Sequence, residues 1–233
     1  MLAQDARDAR AKERPVYIAG SVSNFGLIAG GEWALNDFGR TGKLMNRRSE
    51  TSDAQAKSNL VEQAEMLAEA GVDLLVAEAT GSTEQRHWVI EACVSTGLPV
   101  WAGFKCRLDT DGELKVGYRS KEAFESSLDT LLALGAEVVT IFHSTVEATS
   151  AALPVMQKHW DGPIGVYPDA DRSDYVTTYR DDTTDTVVTP QQYVEVTKEW
   201  VNQGVQIVGG CCGFEIEYIQ PLRDALPSQL SSN

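Results

Sequence analysis

The sequence predicts an α/β fold on a parallel sheet, and three observations carry that prediction. One unit recurs along the chain: a helical stretch, a glycine, a short β-branched run and a polar turn. The β-branched runs are nearly continuous apolar segments, as strands covered on both faces are. Helix-start signals stand between the runs, so strand and helix alternate, which makes the sheet parallel.

The elements follow in order. Met1 to Arg14 alternates its charges in a helical pattern and lacks the apolar stretch of a leader, so it reads as an N-terminal helix. After Pro15, Val16 to Ala19 is the first strand. Val72 to Ala77, Val100 to Phe104, Val138 to Phe142, Ile164 to Tyr167 and Val205 to Val208 bring the strands to six. Gly71, Gly97, Gly135 and Gly204 stand where a left-handed residue would end the preceding helix, while Gly162 after Asp161 fits a helix end or a turn. Ser52/Gln55, Ser82/Gln85, Ser144/Glu147 and Thr189/Gln192 have capping-box spacing, and Pro190 takes a first-turn position. Leu60, Ala64 and Leu67, and then Phe124, Leu128, Leu131 and Leu132, recur at helical spacing and should face the sheet. The chain is thus one domain over 1–233, with six strand–helix units in 15–226 and a tail at 227–233.

A doubly wound sheet and a closed barrel share this alternation. No glycine-rich phosphate loop follows the first strand, which weakens a nucleotide-binding reading. The strand ends carry Ser21, Glu78, Cys106, His143, Tyr167 with Asp169, and Cys211 with Cys212. A TIM-type (β/α)8 barrel gathers its chemistry at one such mouth, so the expected architecture is that barrel, N-terminally incomplete with about six strands.

The 233 residues hold 20 Lys plus Arg against 34 Asp plus Glu, a net charge of −14. That balance repels phosphate backbones and anionic lipid, which argues against nucleic-acid or membrane partners. No apolar run approaches the roughly 20 residues of a membrane helix. Four cysteines, two of them adjacent, argue against a disulfide scaffold and for a cytoplasmic protein with available thiols.

Gly209-Gly210-Cys211-Cys212-Gly213 is the strongest chemical signal. Neighbouring side chains on a strand point to opposite faces, and flanking glycines permit a turn that aims both sulfurs at one centre. Zn2+ suits such soft donors. A vicinal disulfide and two buried thiols beside a turn are the alternatives that the residues alone leave open. Cys93 lies on a helix face and reads as core; His87 and His159 fall on helices and read as surface residues. The acidic stretch Asp169 to Asp185 reads as a solvated face or a cover for the mouth.

Val201 to Gly213 with the helix after it resembles the signature of the homocysteine S-methyltransferase family, zinc-dependent barrels. Ala19-Gly20-Ser21 with Asn24-Phe25-Gly26 resembles that family's A-G-S-x-x-P-Y-G turn, and Asp73-Leu74-Leu75 through Glu78 and Thr80 its D-L-L-x-x-E-T strand. Gly103-Phe104-Lys105-Cys106 resembles S-F-x-C, and Val166-Tyr167-Pro168-Asp169 resembles V-Y-P-N. The resemblance runs from about Pro15 to Leu226. It also has departures: the family's first two strands and D-G-x-M-G-T segment have no counterpart, and Phe214 and Glu215 stand for T-T-P. Ile141-Phe142-His143-Ser144 replaces V-N-C, with His143 at the position of a zinc-binding cysteine.

The resemblance implies a zinc site of His143, Cys211 and Cys212, with Cys106 lining the pore. It implies Glu78 as the partner of the substrate amino group, and Ser21, Tyr167 and Asp169 as further substrate-binding residues. The implied reaction moves a methyl group from a small sulfonium or ammonium donor to the thiol of homocysteine, giving methionine. The implied partners are those small molecules. The main rival is a non-catalytic or truncated barrel, a remnant or partner subunit, whose open edges at Val16 to Ala19 and Val205 to Val208 pair with a second copy or another chain. A metal-free lyase or isomerase using Glu78, Lys105 and His143 comes third, because it leaves the cysteine pair unexplained.

Overall fold

The computed structural model describes residues 2–11, 15–24, 52–117, 120–170 and 188–226. Along the chain run α1 (Leu2–Arg10), β1 (Ala19–Ser23), α2 (Asp53–Glu69), β2 (Leu74–Ala79), α3 (Thr83–Val94) and β3 (Val100–Phe104). The hairpin β4 (Cys106–Leu108) and β5 (Leu114–Val116) follows, then α4 (Leu128–Leu132), β6 (Val138–Phe142), α5 (Val146–His159), β7 (Ile164–Tyr167), α6 (Pro190–Asn202), β8 (Ile207–Val208) and α7 (Ile216–Ala225). Six strands form one sheet in the order β1-β2-β3-β6-β7-β8, every neighbouring pair parallel. The order never reverses, so the sheet lacks the switch point of a doubly wound fold and progresses as a barrel sheet does.

The helices cover one face. Leu75, Ala77 and Ala79 of β2, Ala102 and Phe104 of β3, and Val139 and Ile141 of β6 are wholly buried against them, with Leu60 and Ala64 of α2. Phe124, Leu128, Leu131 and Leu132 are buried as their spacing predicts, although a 3-10 turn at Glu125–Ser127 precedes the short α4. The opposite face is layered by the strand register. Ser23, Glu78, Gly103, Thr140, Gly165 and Ile207 form one row across all six strands. Phe142 and Tyr167 stand in the row above it.

Local chemistry explains the boundaries. Ser82 and Thr189 form complete capping boxes with Gln85 and Gln192, and Ser52 accepts from the Gln55 N–H. The cap of α5 is Thr145 and not Ser144, whose hydroxyl is engaged by the Phe142 carbonyl and the Cys106 N–H. Gly71, Gly97, Gly135 and Gly204 take positive φ after their helices, as expected. Strand β1 starts later than the apolar run, at Ala19, where pairing with β2 begins. β8 shrinks to the two residues that pair with β7. The β4–β5 hairpin was not anticipated, yet Asp111-Gly112 signals it: Gly112 has φ 76°, and its N–H reaches the Asp109 carbonyl at 3.0 Å. Phe25, Gly26 and residues 171–185 of the acidic stretch lie outside the described residues. No described helix is long and apolar enough to cross a membrane.

Candidate metal centre

Backbone bonds continue the parallel ladder past the strand ends and bring three loops together. The His143 N–H donates to the Tyr167 carbonyl at 3.2 Å, and the Asp169 N–H to the Ser144 carbonyl at 2.9 Å. The Cys211 N–H donates to the Pro168 carbonyl at 2.7 Å, and the Ala170 N–H to the Cys212 carbonyl at 2.9 Å. The ends of β6, β7 and β8 are thus laced in register, and His143, Asp169, Cys211 and Cys212 converge.

His143 adopts φ 44°, a region a non-glycine residue occupies at a cost of about 1–3 kcal/mol. Lys105, itself buried, donates from Nζ to the His143 carbonyl and holds that turn. On the other side, Gly213 takes φ 77° and Gly210 leaves room that a Cβ would lose to Phe214, whose Cβ stands 2.4 Å from that position. Phe214 packs on Tyr193 and Tyr218 with ring centroids 4.3 and 4.7 Å away, and the Tyr193 hydroxyl donates to the Gly209 carbonyl. The departure at Phe214 therefore anchors the cysteine turn from behind.

The Sγ atoms of Cys211 and Cys212 lie 3.8 Å apart as free thiols, and Cys211 Sγ is 3.5 Å from His143 Nδ1. One donor atom from each of the three falls within 4.8 Å of the others, a group that could hold a metal ion. The hydrogen bond from Cys211 and a second from His143 pull the Cys212 thiol down to about 4, while that shared bond and burial push Cys211 up.

The remaining site residues divide. Glu78, half-buried at the end of β2, accepts from Ser21 Oγ at 2.9 Å. Ser21 is inside β1 and not at its end, because the strand starts late. Asn24 clamps Thr80 through its side-chain amide, donating to the Thr80 carbonyl at 2.7 Å and accepting from its N–H at 2.9 Å, which fixes the strand end bearing Glu78. Asp169 is buried with Oδ2 3.7 Å from His143 Nδ1, so it borders the donor cluster. Tyr167 lies on the inner face beside Phe142, ring centroids 5.6 Å apart. Cys106 is a correction: it faces α5, with Sγ 3.5 Å from Ser144 Oγ and 3.6 Å from the Ala148 carbonyl, and burial pushes its thiol up to about 11. Cys93 is core, its thiol pushed up to about 12 by burial. The hold of Lys105 on His143 and the anchoring by Phe214 were not read from the sequence. The aromatic after the glycine turn was a signal for the second, whereas Lys105 stands 38 positions from His143 and gave none.

A singly progressing parallel α/β sheet with a thiol–thiol–imidazole cluster at its strand ends defines a barrel-type protein with a candidate metal centre. The chain belongs to the homocysteine S-methyltransferase family, whose pattern it matches over residues 1–226. A selenocysteine methyltransferase of Astragalus bisulcatus is 26% identical, across 93% of this chain and 61% of its own length. Betaine–homocysteine S-methyltransferase 1 of Bos taurus is 27% identical, across 93% and 53%. The chain thus spans about half to three-fifths of these curated relatives. Among solved structures, the metallated form of the homocysteine methyltransferase MmuM of Escherichia coli superposes with a TM-score of 0.61 at 17% identity, over 95% of this chain and 65% of that one. That likeness establishes the fold as part of a TIM-type barrel.

Proposed function

We propose that the chain is a zinc-dependent S-methyltransferase that passes a methyl group from a small sulfonium or ammonium donor to the thiol of homocysteine, giving methionine. The observation that carries this reading is the convergence of His143, Cys211 and Cys212. A tetrahedral ion with sulfur at about 2.3 Å and nitrogen at about 2.0–2.1 Å spaces two sulfurs by ~3.8 Å and a sulfur and a nitrogen by ~3.5 Å. Those two pairs stand at 3.8 and 3.5 Å here, which supports zinc. The metallated form of MmuM supports a metal in this fold.

Zinc held by these three residues would lower the pKa of a substrate thiol in its remaining position. The chain's own residues supply the rest. Glu78 offers its carboxylate to the ammonium of the substrate, with Ser21 holding one of its oxygens. Phe142 and Tyr167 supply an aromatic wall on the inner face. The substrate sulfur then forms a bond to the donor methyl, the methyl–heteroatom bond breaks, and its electron pair stays on the departing heteroatom. The thiol proton leaves to solvent.

Zinc content by elemental analysis, on protein purified reduced with zinc supplied, is the first test. The expected result is about one zinc per chain, followed by methionine formation from homocysteine with a methylsulfonium compound or betaine. Folded protein that retains no zinc overturns the proposal.

A further inference from the structure

Among the described residues, His143 alone of the non-glycine residues takes a positive φ, 44°. An L side chain holds that conformation only where its surroundings enforce it. The enforcement comes from the end of β3. Lys105 Nζ donates to the His143 carbonyl, and the N–H of the next residue, Cys106, donates to Ser144 Oγ at 2.9 Å. Ser144 Oγ donates in turn to the Phe142 carbonyl at 2.8 Å. From the other side, the His143 N–H donates to the Tyr167 carbonyl at 3.2 Å. Lys105 is fixed at its own backbone, its carbonyl accepting from the Gly117 N–H at 3.0 Å. The pairing of β3 with β6 ends at Phe104 and Ile141, so Lys105 reaches the turn where that ladder has stopped.

Lys105 is only 7% exposed, and burying an ammonium carries a desolvation cost. Next to a site for a divalent cation, the same charge repels the ion. Charge alone therefore disfavours a lysine here, and geometry favours it, because a charged donor makes the stronger bond to the turn. We infer that Lys105 is a positioning residue of the metal centre: its bond to the His143 carbonyl keeps the left-handed turn that brings Nδ1 to 3.5 Å from Cys211 Sγ. Lys105 acts through His143 and is no ligand itself. This rests on the reading of His143, Cys211 and Cys212 as a zinc site. It deepens that reading by naming the residue that lets an imidazole serve where the family pattern has a cysteine.

Zinc affinity by chelator competition tests it, on Lys105→Met, Lys105→Arg, His143→Ala and the double variant Lys105→Met/His143→Ala. Lys105→Met keeps the bulk and removes the donor, and it should weaken zinc binding about tenfold or more. Lys105→Arg keeps a charged donor and should stay within about threefold of wild type. On the His143→Ala background, Lys105→Met should cost nothing, because the residue it acts through is gone. Loaded with cobalt, Lys105→Met should give an absorption spectrum moved towards that of His143→Ala. Unchanged or tighter zinc in Lys105→Met overturns the inference and leaves only the repulsion of the ammonium. An equal loss on both backgrounds also overturns it and places the effect of Lys105 in the fold. Wild type that binds no zinc overturns the reading of the site instead. If the melting curve shows that Lys105→Met does not fold, Lys105→Gln takes its place in the same comparison and is read by the same outcomes.

Discussion

Nδ1 of His143 lies 3.5 Å from Sγ of Cys211, although 68 positions separate them in the chain. The contact exists because the ladder bonds of β6, β7 and β8 continue beyond the strands, from His143 to Tyr167 and from Cys211 to Pro168. Cys211→Ser and Cys212→Ser each remove a donor and should weaken zinc binding at least about 100-fold in a chelator competition, while Cys93→Ser and Cys106→Ser should leave it unchanged. Equal losses in all four variants would mean that the metal is held elsewhere.

As a zinc ligand, His143 would set the charge of the centre. Two thiolates and a neutral imidazole balance a divalent ion, whereas three thiolates would leave it one unit negative. His143→Cys should therefore bind zinc more tightly and, loaded with cobalt, show stronger thiolate-to-metal absorption. His143→Ala should lose affinity. A cobalt spectrum identical in wild type and both variants would remove His143 from the ligand set.

The aromatic trio of Tyr193, Phe214 and Tyr218 supports the cysteine turn from outside the cluster. Phe214→Ala leaves a hole in a half-buried position and should cost about 2–3 kcal/mol, lowering Tm by roughly 4–10 °C. The loosened turn should also weaken zinc binding about tenfold. Retained zinc affinity in a destabilised variant would separate the anchor from the centre.

His159 at the end of α5 faces Glu125 at 3.1 Å and Asp129 at 2.6 Å, and these two bonds, Glu125 first, raise its pKa. A raised pKa in the folded state means stabilisation in full below the ordinary value of about 6.5, lost as pH climbs through the folded value. The Tm gap between wild type and His159→Gln should accordingly be widest near pH 5.5 and shrink by pH 8.5. A gap independent of pH would show that packing, not charge, joins α5 to α4.

The α/β class, five of the six sheet strands to within a few residues, and three of the four expected helix caps were legible because each depends on neighbours in sequence. Glycine after a helix, Ser or Thr three before Gln, and β-branched runs express backbone preferences that act over a few residues. Strand parity was a signal left unused: Val100, Ala102 and Phe104 face the helices, and Cys106 continues their face, which takes it away from the pore expected for it.

The family resemblance, read over residues 15–226 and matched by the family pattern over 1–226, and the expectation that Cys211 and Cys212 share one centre thus belong to the sequence by itself. Only the tertiary structure decided that Asp169 borders His143, that Lys105 holds the histidine turn, and that Phe214 backs the cysteine turn at Gly210. Those relationships depend on which strands pair, in which register and how far beyond their ends. Register is set by long-range packing, and one residue of slip would turn every side chain to the other face.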